Sequence, residues 1–136
     1  MTLVLDLRNE LTEYGFAAAR ILLALVFLYS GLDKLRHWRS SVAEVVEIGL
    51  PFPGLFTAAT IVTQIVGGVS VASGFAAPIG AGLLAGFTIV ATLLGHKFWL
   101  LHGDQARREF TTSLEHVAIV GGLLMVIVEG LAMGAQ

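Results

Sequence analysis

The sequence predicts an all-α membrane protein, a bundle of four transmembrane helices with an extra interfacial amphipathic helix between spans one and two. Three observations carry this prediction. Only 13% of the 136 residues are charged and 56% are hydrophobic, whereas a soluble domain carries about 25% charged residues. The mean hydropathy is +0.84. The apolar residues also collect in long runs, the clearest being residues 79–94, which hold no charge and end in Gly95, His96, Lys97, Phe98 and Trp99. A hydrocarbon core of about 30 Å takes roughly 17–25 apolar helical residues, so this run and its flanks suffice to cross it. Trp99 suits the headgroup level, where an indole keeps its ring in lipid and its N–H in water.

The chain contains no cysteine. That excludes disulfides, thiolate metal sites, Cys-ligated iron–sulfur clusters and CxxC redox exchange. A net charge of −2 gives no reason to expect a nucleic-acid partner. Residues 1–13 carry Asp6, Arg8, Glu10 and Glu13, so they lack the basic-then-apolar order of a cleaved signal peptide. They are expected to form a short helix at the membrane surface.

The length allows a single membrane domain, residues 1–136. Span one is expected over about residues 14–32, broken only by Arg20, whose long stem can snorkel to the boundary. Residues 33–52 are too polar to span. Within them Trp38, Val42, Val45, Val46 and Leu50 recur at helical spacing opposite Arg39, Ala43, Glu44 and Glu47, the pattern of an interfacial amphipathic helix. Pro51 and Pro53 end it. Span two is expected over residues 55–73, with Gln64 near its middle. Span three covers residues 79–95, where Gly82 and Gly86 form a small-xxx-small pair suited to close helix approach. Span four is expected over residues 113–133, because Thr112 and Glu115 have the capping-box spacing of a helix start.

Four spans put both termini on one side and both long connections on the other. Lys34, Arg36, Arg39, Lys97, Arg107 and Arg108 fall on the connection side. The excess of basic residues near span ends marks the cytoplasmic face, so both termini are expected outside.

This threading gathers Asp33, Lys34, His96, Lys97, Glu115 and His116 at the cytoplasmic end of the bundle. Histidine exchanges protons near neutral pH, and a quinone head group reduced at a membrane surface needs such a donor beside an apolar channel for its tail. His96 and His116 are therefore the candidate proton-exchanging residues, with Asp33, Glu115 and Trp99 as candidate substrate contacts. Asp33 and Lys34 can instead form a local ion pair. A metal or haem held between His96 and His116, with Glu115 or Asp33 as carboxylate neighbours, is the weaker alternative, because no ligand-spaced histidine pair lies on a single helix; no metal site and no covalently held cofactor is expected. A second polar set, Arg20, Gln64 and Glu129, falls toward the opposite face. Arg20 and Glu129 come out at similar depth, several ångströms inside the outer surface at about 1.5 Å per residue. They are expected to pair with help from Gln64, or else to bind a polar group there.

Taken together, Ala19-Arg20-Ile21-Leu22, Phe27, Ser30-Gly31-Leu32-Asp33-Lys34-Leu35, Gly49-Leu50-Pro51-x-Pro53, Gly67-Gly68 with Gly74, His96-x-Phe98-Trp99 and Gly121-Gly122 resemble the signature of the DoxX family of small bacterial and archaeal membrane proteins. The resemblance covers roughly residues 18–128 and rests on the order of the motifs. It implies a four-helix bundle in the cytoplasmic membrane, serving as the membrane subunit of thiosulfate:quinone oxidoreductase or as a partner in other membrane oxidoreductase complexes. Two positions depart from the pattern. Gln64 stands where the family often has an acidic residue, and Glu115-His116 stands where it often has Lys-Asn.

The reading that follows is a multi-pass membrane subunit contributing to quinone access and proton exchange. Quinone is a bound substrate, and a redox subunit supplies the electrons. A different class is a passive anchor or assembly factor, docking a soluble enzyme through Arg107, Arg108 and the Trp38 helix. A small multidrug-type transporter would need a buried carboxylate in span one, which has none before Asp33. The glycine pairs allow a homo-oligomer but serve contacts within one bundle equally well.

Overall fold

A computed structural model describes residues 1–134, and all regular structure among them is helical. The helices are α1 (Thr2–Arg36), α2 (Trp38–Ile48), α3 (Pro53–Ser73), α4 (Ala77–Gly95) and α5 (Gly103–Gly134), with one 3-10 turn at Phe98–Leu100. Four of them, α1, α3, α4 and α5, are long and apolar enough to cross a membrane. At 1.5 Å per residue α3 and α4 are about 31 and 28 Å long, close to the thickness of a hydrocarbon core. Proline stands in the first turn of each, where its missing N–H costs no hydrogen bond.

The helices pack in the order α1, α3, α4, α5, and α5 returns to α1 along only a short stretch. Small residues set the spacing. A Cβ on Gly67 would lie 2.7 Å from Leu84 Cγ, and one on Gly68 would lie 2.8 Å from Leu28 Cδ2. Glycine at these two places thus lets α4 and α1 seat a leucine against the α3 backbone. Leu84, Leu123 and Val71 are fully buried at the centre, with Ala24, Phe27 and Ala81 around them. Gly82 and Gly86 do not serve the predicted close approach, since a Cβ at either would meet nothing within 4 Å.

At the end of the bundle that holds the termini, α3 passes into α4 through a tight turn. Gly74 adopts φ 81°, a left-handed conformation that glycine reaches without a Cβ clash. Ser70 Oγ donates to the carbonyl of Phe75 at 2.7 Å and also lies 3.1 Å from that of Ala76. At the other end only His37 separates α1 from α2, and α2 lies against α3 and the end of α1.

Several expectations change. Residues 1–13 are not a separate surface helix but the first turns of α1, because nothing between Thr2 and Arg36 interrupts the helix. The amphipathic helix exists as α2, but its inward face is Ser41, Val42, Val45 and Ile48, while Trp38 and Val46 are exposed. The capping box is absent. α5 begins at Gly103, so Thr112 and Glu115 sit in mid-helix. The reason is that Gln105, Ala106, Arg107, Arg108 and Glu109 are good helix formers with no breaker among them.

Candidate functional site

The end of α4 meets α5 through a chain of polar side chains. Thr88 Oγ1 donates to Leu84 O at 2.7 Å, and Thr92 Oγ1 donates to Thr88 O at 2.6 Å. With that hydrogen engaged, Thr92 Oγ1 accepts from His116 Nδ1 at 2.7 Å, which assigns the proton of the neutral ring to Nδ1. The His116 ring stands edge-on to that of His96, with centroids 5.1 Å apart. His96 Nδ1 in turn donates to Glu109 Oε2 at 2.5 Å, and both of these side chains are 30% exposed. Two hydrogen-bonded pairs, Thr92–His116 and His96–Glu109, thus meet ring to ring between the buried interior of α4 and the surface. Each imidazole can hold and exchange a proton near neutral pH.

The two predicted histidines are therefore brought together, but their carboxylate neighbour is Glu109. The sequence reading missed Glu109 because it took residues 97–113 for a connection. The signal available was the absence of any helix breaker before Thr112. Glu115 is exposed. Asp33 lies away from the group, with Oδ1 3.2 Å from His37 Nδ1. Lys34 does not pair with Asp33; it donates to Ser30 Oγ at 2.9 Å. Trp99 is half exposed, edge-on to Phe98, which packs in the same way on Phe110.

On the opposite side of α4 lies a cavity of about 410 Å³ between α2, α3 and α4. Its walls are mainly apolar, including Phe56, Phe87, Val90 and Leu94, while Lys34, Ser41, Glu44, Thr60 and Thr63 contribute polar groups. A volume of this size falls in the range of small-molecule sites, roughly 300–1,000 Å³, which combine apolar walls with a few placed polar groups. No residue pattern announces it, since a cavity depends on how three helices are rotated about their axes.

Arg20 and Glu129 pair as expected, Nη1 to Oε1 at 3.0 Å, with side chains 19% and 9% exposed. Gln64 does not assist them. It is buried in α3 and donates to Ser30 Oγ at 3.1 Å, beside Lys34 and far down α1 from Arg20. Its Oε1 and the Nε of Arg20 are buried without a partner among the described residues. Arg20 stands level with the α3–α4 turn, its Nη2 3.3 Å from where a Gly74 Cβ would be, so it lies at the bundle end and not inside the span. No cluster of three or more metal-binding side chains occurs among the described residues.

The sequence profile of the DoxX family matches residues 15–97, from α1 through the end of α4. The chain belongs to the DoxX family. Two curated relatives extend the likeness over the whole bundle. Inner membrane protein YphA of Escherichia coli K12 is 25% identical over 90% of this chain and 93% of its own length. Inner membrane protein YqjF of the same organism is 26% identical over 90% of this chain and 88% of its own. No solved structure matches. This DoxX protein is accordingly an integral membrane protein built on four apolar helices.

Proposed function

We propose that this DoxX protein is the membrane subunit of an oxidoreductase assembly in the cytoplasmic membrane, where it admits and holds a quinone. The α2–α3–α4 cavity carries the reading. It combines apolar walls fit for an isoprenoid tail with the Lys34 ammonium and the hydroxyls of Thr60 and Thr63, donors that suit the two carbonyl oxygens of a quinone ring. Lys34 and α2 stand at the connection end of the bundle, which the basic residues around it mark as cytoplasmic, leaving both termini outside.

In this reading a partner subunit delivers two electrons, and the ring takes up two protons to become the quinol. His96 and His116, joined to Glu109 and Thr92, exchange protons at the same end of the bundle across α4 from the cavity. Arg20 and Glu129 brace the far end. Protein extracted with native lipid should carry quinone, and Gly86→Leu, which fills the cavity wall, should empty it while leaving the fold intact. Extracts free of quinone would end the proposal. If quinone reduction by the purified assembly survives His96→Ala with His116→Ala, the proton role fails while the cavity assignment stands.

An anchoring role has one specific support. α5 extends about 9 Å beyond the His96–Glu109 contact, presenting exposed Arg107 and Arg108. Co-purification of a soluble enzyme that is lost on replacing both arginines, with no quinone bound, would favour it.

A further inference from the structure

One charge inside the bundle has no counter-charge. The Lys34 side chain reaches back one turn of α1 and donates to Ser30 Oγ at 2.9 Å. Gln64 Nε2 donates to the same oxygen at 3.1 Å, and Gln64 is buried near the middle of α3. The Lys34 ammonium is thereby drawn inward from the end of α1, toward the level of Gln64. Among the described residues the ion pairs are Arg20–Glu129, His37–Asp33 and His96–Glu109, so no carboxylate comes within 4.0 Å of Lys34. A serine hydroxyl satisfies one of the three N–H donors of an ammonium and none of its charge. An ionisable group held in this way within a membrane bundle is costly and marks a functional position.

Lys34 also lines the α2–α3–α4 cavity. We propose that this cavity is a site for a monoanionic amphiphile, a long-chain carboxylic acid whose ionised head pairs with Lys34 and whose chain lies along Phe56, Phe87, Val90 and Leu94. The assignment rests on the same cavity as the quinone reading and makes the acid a competitor there, but it requires no redox chemistry. Each feature of the cavity narrows the ligand. A neutral carbonyl would occupy the free donors and leave the charge, whereas a carboxylate meets both through charge-assisted bonds about twice as strong as neutral ones. An inorganic anion would leave the apolar walls bare. The phosphate of a phospholipid is held at the headgroup level, short of an ammonium drawn inward. Glu44 on the α2 wall also repels a head that carries a second negative charge.

The way in suits a ligand dissolved in the leaflet. α2 packs on α3 and α1 and hardly on α4, so the cavity opens sideways between α2 and α4. Gly86 and Val90 are exposed on that side, and a Cβ on Gly86 would meet nothing within 4 Å.

The test uses the full chain in phosphatidylcholine nanodiscs with radiolabelled dodecanoate and dodecanol, and empty nanodiscs as the blank. The protein should retain dodecanoate well above dodecanol, since the two differ only at the head. Lys34→Met should weaken dodecanoate binding roughly 10- to 100-fold, the range for a hydrogen bond to a charged group. Gly86→Leu, which fills the cavity, should abolish it. Equal retention of acid and alcohol by the parent chain would overturn the proposal without recourse to any variant. Dodecanoate binding that survives Lys34→Met or Gly86→Leu would do the same. Competition with decylubiquinone separates this site from the quinone reading. Dodecanoate bound through Lys34 and not displaced by decylubiquinone upholds the acid site and counts against quinone. Decylubiquinone retained by the parent and lost in Gly86→Leu, with no dodecanoate retained, rejects the acid site and leaves the quinone reading standing.

Discussion

Arg20 Nη1 lies 3.0 Å from Glu129 Oε1 and joins α1 to α5 across 109 positions of sequence. These helices otherwise touch at few places, one being Leu23 against Gly122. The ion pair is thus the polar clasp of a bundle whose remaining contacts run α1–α3–α4–α5.

Removing one half of the clasp should cost more than removing both. Glu129→Leu leaves a largely buried guanidinium unpaired and is expected to destabilise the protein by roughly 1–3 kcal/mol, while Arg20→Met with Glu129→Leu should recover most of that loss. Thermal unfolding of the three proteins in one detergent measures the difference. Equal midpoints for the single and double variants would mean the pair is not coupled.

Glycine substitutions should divide by helix face. Gly67→Ala and Gly68→Ala push a methyl to within 3 Å of Leu84 and Leu28 and should each cost about 1–3 kcal/mol. Gly82→Ala and Gly86→Ala meet nothing, so unfolding midpoints should stay level or rise slightly, as expected when alanine replaces helical glycine. A loss at Gly82 as large as that at Gly67 would contradict the packing.

Gln64 invites the reverse expectation for a buried polar residue. Its bond to Ser30 is offset by the unpartnered Oε1, and an orphaned buried acceptor costs about 1–3 kcal/mol. Gln64→Leu should therefore leave stability within about 1 kcal/mol of the parent, with Lys34 still bonded to Ser30. A clearly larger loss would show that the amide carries more than this geometry contains.

Within the proposed quinone chemistry, Glu109 and His96 should act as one unit. Glu109→Ala and His96→Ala are expected to slow quinone reduction by a similar factor, on the order of 10²-fold, and the double variant should be little worse. Glu115→Ala, at an exposed position, should change it by less than about twofold. A strong effect at Glu115 and none at Glu109 would move the proton route to the other side of α5.

The apolar runs made four of the helices legible, because lipid leaves the backbone no other partner and long hydrophobic stretches have few alternative uses. Depth arithmetic at a fixed rise per residue likewise found the Arg20–Glu129 pair. Rotation about a helix axis was harder to read. Which glycine meets a neighbour, and whether Gln64 turns to Arg20 or to Ser30, depend on packing angles that composition does not encode. A carboxylate at position 64 would face Ser30 and Lys34, and not Arg20. The α5 start was misplaced because polarity was taken as the end of the helix, whereas the helix simply leaves the membrane before it ends.

The two shortest spans also set the kind of bilayer this protein fits. α3 and α4 match a hydrocarbon layer of about 30 Å with almost nothing to spare, and their ends are fixed by tight turns and prolines, not by extendable helix. In a sterol-rich membrane a few ångströms thicker, neither helix could lengthen, so the surrounding acyl chains would have to compress around that side of the bundle. Hydrophobic mismatch would then fall on α3 and α4 alone, and activity reconstituted across lipids of graded chain length should peak at the shorter members of the series.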